Sequence, residues 1–374
     1  MSSDLASRIH RAAEQAAKAG IDALLISPGA DLRYLCGYRA LPLERLTCLV
    51  VPAESVGRDP VLVVPALEQA AARTAIGDLE LDVVPWQETD DPYALVADLL
   101  PRRGRVALDN QMWAEKVLAF RAAMPDTEQL PAGQVLTELR MRKTPSELDA
   151  LAEAADAIDR VHARMAEWLR PGRTERQVGQ DIADAILAEG HVQVDFTIVG
   201  SGPNAASPHH ELSDRVICAD EPVVVDIGGT TEAGYCSDST RTYLVGSRAP
   251  AEFAAYYEVL LRAQVAACDH AAPGVTAESV DRAARQVIEQ AGYGANFFHR
   301  TGHGIGMQGH EEPYIVEGNE LVLEPGMVFS IEPGIYRPEV DGARIEDIVA
   351  VTETGSRRLN QRPRELGMLS GSSR

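Results

Sequence analysis

Short apolar runs alternate with longer helical patterns over residues 1 to about 125. The pattern predicts a helix over 4–19 that stops at Gly20, then strand 22–27, a turn at Pro28-Gly29 and a short helical turn over 31–34. Strand 46–52, strand 60–65, helix 66–75, strand 81–86, helix 92–100, strand 105–109 and helix 112–123 follow. Strands interleaved with helices predict an α/β layer domain. The Pro28-Gly29 turn lacks the glycine spacing of a dinucleotide fingerprint. Pro125, Pro131, Gly133 and Pro145 then break the pattern, so 129–145 reads as a linker.

The second half contains an internal repeat. The stretch RPGRTERQVGQDIADAILAEG begins at Arg170, and APGVTAESVDRAARQVIEQAG begins at Ala272. Pro171, Gly172, Thr174 and Gly190 return as Pro273, Gly274, Thr276 and Gly292. Each copy reads as a loop, a Thr N-cap, a helix and a Gly stop, and Thr174 with Gln177 forms a capping box. A further long helix precedes each copy, over 146–169 and 251–271. After each copy come a His and two acid-bearing strands. Two such halves related by a pseudo-two-fold would bring their acid pairs face to face.

Those acids carry the candidate chemistry. Asp226 lies in VVVDIGG, Asp238 in SDSTRT, Glu332 in SIEPGIY and Glu346 in RIEDIV, and His303 lies in TGHGIG. A lone Asp before Gly-Gly is commonly a turn former, and a lone strand Glu is commonly half of a salt bridge. Two matching pairs in a duplicated framework point elsewhere. Buried together, four carboxylates would repel and take up protons; two divalent cations would cancel their charge. A set that mixes imidazole with carboxylates suits Mn, Fe, Co or Zn, whereas Mg or Ca favours oxygen alone. The glycines flanking His303 predict an open imidazole. Arg344 shares the strand face of Glu346; Asp347 should face solvent. His209 and His210, in SPHHELSD, and His310, in GHEEP, are candidates for acid, base or anion-clamp roles, and either of the first two could face the site. Ser201 in GSG does not make a nucleophile elbow, and neither HExxH nor HxxEH spacing occurs.

Composition narrows the partners. A formal net charge of −21 over 374 residues argues against nucleic acid and against anionic membranes. The five cysteines, Cys36, Cys48, Cys218, Cys236 and Cys268, show no CxxC spacing and fit free thiols in a reducing compartment. The acid-containing amphipathic N-terminus is no signal peptide, so a cytoplasmic location is expected.

The motifs D…D…H…E…E, in this order, resemble those of the "pita-bread" metallopeptidases, and the extra N-terminal domain resembles the prolidase and aminopeptidase P branch. The resemblance covers nearly the whole chain. It implies an α+β pita-bread catalytic domain with a pseudo-two-fold repeat over 146–366, a smaller creatinase-like α/β domain over 1–128 and a flexible tail over 367–374. It also implies two divalent metal ions, with manganese the first expectation. Asp226 resembles the bidentate ligand of one metal, Asp238 and Glu346 the bridging carboxylates, and His303 and Glu332 the ligands of the other metal. Glu332 further resembles a proton shuttle, His209 an active-site His outside the metal shell, and His310 a contact to the scissile carbonyl. Arg344 resembles a substrate-carboxylate or supporting Arg. The Asp226–Asp238 interval is one residue longer than in many relatives, from an extra turn residue over 229–235 or a bulge in the return strand. The implied activity is hydrolysis of Xaa-Pro bonds in dipeptides, by a homodimer in which the N-terminal domain restricts the entrance. The alternatives are an Xaa-Pro aminopeptidase on longer peptides, a creatinase-like hydrolase without metal, and a silent binding protein of the same fold.

Overall fold

The computed structural model describes residues 2–369. The chain divides into two compact units that part between Arg140 and Met141.

The first unit is built on a six-stranded mixed sheet. Its strands are β1 (Ala23–Ile26), β2 (Cys48–Pro52), β3 (Val61–Pro65), β4 (Asp82–Trp86), β5 (Gly104–Leu108) and β6 (Thr127–Pro131), in the spatial order β4-β3-β2-β1-β5-β6. β2 runs antiparallel to both neighbours, and the other pairs are parallel. The helices are α1 (Ser2–Lys18), α2 (Ala30–Cys36), α3 (Gln69–Ile76), α4 (Pro92–Asp98), α5 (Ala114–Ala123) and α6 (Gly133–Met141). Pro92 opens α4 behind Asp91, whose Oδ1 accepts the Tyr93 and Ala94 amides. Leu25, Cys48, Val50, Val63, Val96 and Phe120 form a buried core on the sheet.

The expected linker is regular structure. β6 lies at the sheet edge beside β5, where Pro131 can end the strand without withholding a ladder bond. Gly133 then starts α6, its amide donating to Asn110 Oδ1. The proline and glycine breaks are the ends of these two elements.

The second unit repeats one plan twice. In the first half come α7 (Pro145–Ala163), the single turn α8 (Met165–Trp168) and α9 (Glu175–Ala188), followed by β7 (His191–Ser201), β8 (Glu221–Thr231) and β9 (Cys236–Val245). In the second come α10 (Ala251–His270) and α11 (Ala277–Gln290), followed by β10 (Gly302–Gly304), β11 (Glu311–Ile315), β12 (Val328–Ile331), β13 (Gly334–Arg337), β14 (Asp341–Arg344), β15 (Asp347–Val351) and β16 (Ser356–Arg358). The repeat is visible in the backbone. Gly172 and Gly274 have φ of 88° and 90°, and Thr174 and Thr276 share φ of −85° with ψ of 155° and 152°. The Thr174–Gln177 capping box forms, each residue accepting from the other's amide.

The β8–β9 register runs unbroken from Glu221↔Val245 to Thr230↔Cys236. The extra residue between the two aspartates therefore sits in the turn, where Gly234 has φ 92° and Thr231 N–H donates to Tyr235 O. The return strand has no bulge. The expected flexible tail begins with a strand instead: β17 (Gly367–Met368) adds parallel to β9, and the Leu369 amide donates to Leu244 O. Residues 370–374 lie outside the described residues.

Candidate active site

Strand register delivers the acids. Asp226 lies opposite Thr240 and Gly228 opposite Asp238, so both aspartates point to one face of the β8–β9 hairpin. In the other half β12 pairs with β15 (Ile331↔Asp347) and β13 with β14 (Gly334↔Arg344) in one continuing register. That register sets Glu332 across from Glu346, at the break between the two strand pairs. The hairpins then join. Glu346 N–H donates to Thr240 O at 3.1 Å, Thr240 Oγ1 donates to Glu346 Oε2 at 2.8 Å, and Thr242 Oγ1 donates to Arg344 O at 2.9 Å.

His303 enters from β10. Its amide donates to Ser330 Oγ at 3.0 Å, and the Glu332 amide donates to Thr301 O at 2.8 Å. The glycines beside it serve close strand packing: a Cβ at Gly302 would lie 1.8 Å from Ser330 O, and one at Gly304 2.2 Å from Glu312 O. They do not open the imidazole, which is 3% exposed. His303 Nδ1 lies 3.1 Å from the Gly304 carbonyl, which only accepts, so Nδ1 carries the hydrogen. The lone pair of Nε2 then faces Glu332 Oε1 at 3.3 Å and Asp238 Oδ2 at 3.8 Å.

A nitrogen lone pair aimed at two carboxylates is repulsive unless a cation lies between them. Two more observations fit the residues to metal. Asp226 Oδ1 and Glu346 Oε1 are buried without a hydrogen-bond partner. Donor atoms of Asp226, Asp238 and Glu346 lie within 4.8 Å of one another, as do those of His303, Glu332 and Glu346. Glu346 belongs to both groups. Burial, reinforced by the Glu346, Asp226 and Glu332 charges, pushes the Asp238 carboxyl well above its usual range. Burial and the charges of Glu332 and Asp226 do the same to Glu346. Burial also raises Asp226, against the pull of Arg344. Burial acts to raise Glu332 too, whereas a proton donated by a charged His303, with the His299 and Arg344 charges, would outweigh it and bring that group to about 2.

Arg344 is committed to this framework. It is 2% exposed and donates to Asp226 Oδ2 at 2.6 Å, Thr240 Oγ1 at 3.1 Å, Tyr336 Oη at 2.9 Å and Pro208 O at 3.2 Å. Of its two expected roles, support of Asp226 is the one the contacts describe. Tyr336 Oη in turn lies 2.9 Å from His299 Nε2. Asp347, expected to face solvent, is fully buried and paired with Arg241 at 2.6 Å and Arg358 at 2.9 Å.

The two adjacent histidines part company. His209 lines the cavity of about 810 Å³ that holds all five predicted ligands, with Phe196, Ile198 and Phe298 as apolar wall. His210 turns away to Glu175 Oε2 at 2.7 Å. His310 stacks on His303, ring centroids 3.8 Å apart, and its Nδ1 accepts from Arg300 at 3.2 Å. Burial, with the His303 and Arg300 charges, lowers its pKa to about 4.

Three contributors escaped the sequence reading. Fully buried Glu175 accepts from Ser201 N and Oγ, Asn204 Nδ2, His210 Nε2 and Ser213 Oγ. No pattern marks it, because the repeat has Ala277 at the corresponding place. His299 and Arg300 line the cavity from the segment HRTGHG, where adjacency to His303 was the available signal.

Residues 149–353 match the model of metallopeptidase family M24, and residues 8–142 match that of the creatinase/prolidase N-terminal domain. The chain belongs to metallopeptidase family M24. Within M24 it is similar to a probable dipeptidase PepE of Mycobacterium tuberculosis, 53% identical over 363 residues and covering 96% of each chain. It is also similar to an Xaa-Pro dipeptidase of Lactobacillus delbrueckii subsp. lactis, at 38% identity over 94% of this chain and 95% of the relative. The crystal structure of dipeptidase PepE from Mycobacterium ulcerans superposes with a TM-score of 0.93 at 51% identity, covering 99% of each chain. The α+β pita-bread domain behind a creatinase-like α/β domain is thus the fold of this M24 member. Among the described residues, no helix is long and apolar enough to cross a membrane.

Proposed function

We propose that this M24 metallopeptidase hydrolyses Xaa-Pro dipeptides with two divalent metal ions held by Asp226, Asp238, His303, Glu332 and Glu346. The observation that carries this reading is the His303 Nε2 lone pair directed at two carboxylates beside the orphaned oxygens of Asp226 and Glu346. Asp226 would hold one ion, His303 and Glu332 the other, and Asp238 and Glu346, each within reach of donors on both sides, would be shared between them. The relatives named Xaa-Pro dipeptidase supply the substrate class. The resemblance makes manganese the first choice, and the mixed imidazole and carboxylate set accepts cobalt, iron or zinc as well.

Two such cations supply Lewis acidity toward a peptide carbonyl and a nucleophile at neutral pH. The chain's own groups do the rest. Arg300 donates to His310 Nδ1, so His310 carries its hydrogen on Nε2 and can donate to a carbonyl oxygen as negative charge develops there. Glu332 lies in the cavity, with Ser330 Oγ donating to it at 3.3 Å. It would take a proton from the attacking water, whose oxygen bonds to the carbonyl carbon, and pass it to the proline nitrogen as the C–N bond breaks, because a tertiary amide nitrogen cannot depart unprotonated. Phe196, Ile198 and Phe298 offer apolar surface to the pyrrolidine ring, and His209 reaches the substrate from the loop after β7.

The test is a comparison of Xaa-Pro dipeptides with Xaa-Pro-Yaa tripeptides in Mn or Co. Dipeptides should be preferred; if neither is cleaved with metal present, the peptidase reading fails. Metal analysis of His303→Ala gives a second check, because unchanged stoichiometry would remove His303 from the ligand set.

A further inference from the structure

A dipeptide brings a carboxylate into a cavity that already contains four. The two cations proposed above would cancel those four charges and leave none over for a fifth, so desolvating that anion costs free energy unless a further cation meets it. Two arginines line the cavity. Arg344 is fully engaged by Asp226, Thr240, Tyr336 and Pro208. Arg300 is not. Among the described residues no carboxylate lies within ion-pair distance of it; its guanidinium makes one side-chain hydrogen bond, to His310 Nδ1 at 3.2 Å. It lies over the Tyr314 ring, 4.4 Å from the centroid. Stacking engages the flat face of a guanidinium and leaves its edge N–H donors free for a planar, bidentate anion.

The backbone under Arg300 is held on both sides. Its carbonyl accepts from His299 Nδ1 at 2.7 Å. Next to it, Thr301 N–H and Oγ1 donate to Asp281 Oδ1 at 3.0 and 2.7 Å. Arg285, ion-paired with Asp281, donates to the His299 carbonyl at 2.9 Å. The guanidinium is thus presented from a fixed segment three residues from His303.

We propose that Arg300 is the substrate-carboxylate anchor of this site, its stacked guanidinium forming the subsite that selects anionic over neutral peptides. The proposal rests on the Xaa-Pro dipeptidase reading for the identity of the peptide. Two sources supply the same chemistry: the C-terminal carboxylate of proline and the side chain of an acidic Xaa. The first would make Arg300 the residue that separates dipeptides from longer chains.

The experiment reads binding apart from turnover. Reduced-amide analogues of Ala-Pro, with a free carboxylate or a carboxamide, are titrated calorimetrically into the metal-loaded wild type, Arg300→Met and Arg300→Lys. An Asp-Pro analogue forms the second arm. Charge-assisted pairing predicts that the wild type binds the carboxylate form about 10- to 100-fold more tightly than the amide. Arg300→Met should abolish that preference, and Arg300→Lys should restore part of it. If Arg300→Met instead removes a preference for Asp-Pro and leaves the terminal-carboxylate preference intact, the anchor serves the Xaa side chain. The proposal is overturned if the wild type shows neither preference, or if both survive in Arg300→Met. A uniform fall in kcat with unchanged binding preferences also overturns it, because Arg300 would then act only through His310. Failure of the peptidase reading looks different: no proline peptide is cleaved, while the carboxylate preference and its loss in Arg300→Met remain measurable.

Discussion

Glu175→Gln is the perturbation that the buried network makes most informative. The carboxylate accepts from five donors: Ser201 N at 2.8 Å, Ser201 Oγ at 2.7 Å, Asn204 Nδ2 at 3.1 Å, His210 Nε2 at 2.7 Å and Ser213 Oγ at 2.5 Å. Glutamine keeps the shape and loses the charge. If its amide nitrogen takes the place of Oε1, it meets the Ser201 backbone N–H, a donor that cannot turn round. If it takes the place of Oε2, it meets His210 and Asn204. Either way one buried donor loses its acceptor, at about 1–3 kcal/mol, and the remaining bonds lose charge assistance, at roughly 0.5 kcal/mol each. The expected cost is about 3–5 kcal/mol, a large share of the ~5–15 kcal/mol typical of a folded protein. Urea unfolding of the metal-loaded protein at pH 7 measures it. Because His210 anchors the loop that carries His209, KM for an Xaa-Pro dipeptide should also rise several-fold while metal content stays at the wild-type value. The pH dependence has a definite sign. Burial acts to raise the Glu175 pKa, but the bonds from Ser213, Ser201 and His210 outweigh it and leave it lowered. A lowered carboxylate contributes stability above its unfolded pKa, near 4.3, and loses it as pH falls through the folded value. The gap between wild type and Glu175→Gln should therefore close in acid. A cost below about 0.5 kcal/mol, or a gap that widens in acid, would refute the reasoning.

Three further outcomes are expected. Burial holds the His162 imidazole neutral, its pKa lowered to about 3, between Tyr243 Oη at 2.9 Å and Ser239 O at 3.1 Å; that stability is present above the unfolded pKa near 6.5 and is lost as pH falls below it, so the wild type should lose about 2 kcal/mol more than His162→Asn between pH 7 and 5 in urea titrations. Arg344→Met leaves Asp226 buried without its guanidinium partner and should destabilise the chelated protein by about 3–5 kcal/mol, with less loss when metal is restored, as melting curves in both states will show. Chelation of the wild type should lower its melting temperature, and Mn should restore it, because four carboxylates then face one another without compensation; a melting temperature indifferent to chelator and metal would count against a dinuclear centre.

Three of the five predicted metal-site residues sit beside a local signal, Asp226 before Gly-Gly, Glu332 before Pro-Gly and His303 between glycines, and Asp238 and Glu346 were read as their partners on the return strands of a repeated plan. Their convergence was legible through period-two register, which puts Asp226 and Asp238 on one strand face and Glu332 opposite Glu346. What escaped was set by contacts between distant elements. Asp347 has a neighbour's polarity and no local mark of its burial; only the packing of Arg241, Arg358 and Gln264 around it shows why a carboxylate can stay inside. The assignment of 129–145 as linker failed because Pro131 and Gly133 end and begin elements there rather than interrupt them. The glycines beside His303 were read as space for the imidazole, whereas they are space for neighbouring backbone.

The repeat explains why the two histidine segments differ in use. Each half straps the start of its segment to an acid in the early turns of its second helix. Glu175 of α9 accepts the amide and hydroxyl of Ser201, and Asp281 of α11 accepts the amide and hydroxyl of Thr301. In the second half the strap lies two residues before His303. That imidazole is buried, its Nδ1 is tied to Gly304 O, and its Nε2 has no freedom to leave the carboxylates. In the first half the strap lies eight residues before His209, across a short 3₁₀ turn, and the next fixed point is His210 on the same Glu175. His209 is consequently exposed at the cavity, held at one neighbour rather than by its own ring. These fixings suit the roles proposed above, a metal ligand held by its own hydrogen bonds before its ion arrives and a substrate-facing group carried on a loop. One duplicated device, with its anchor at two different distances, supplies both.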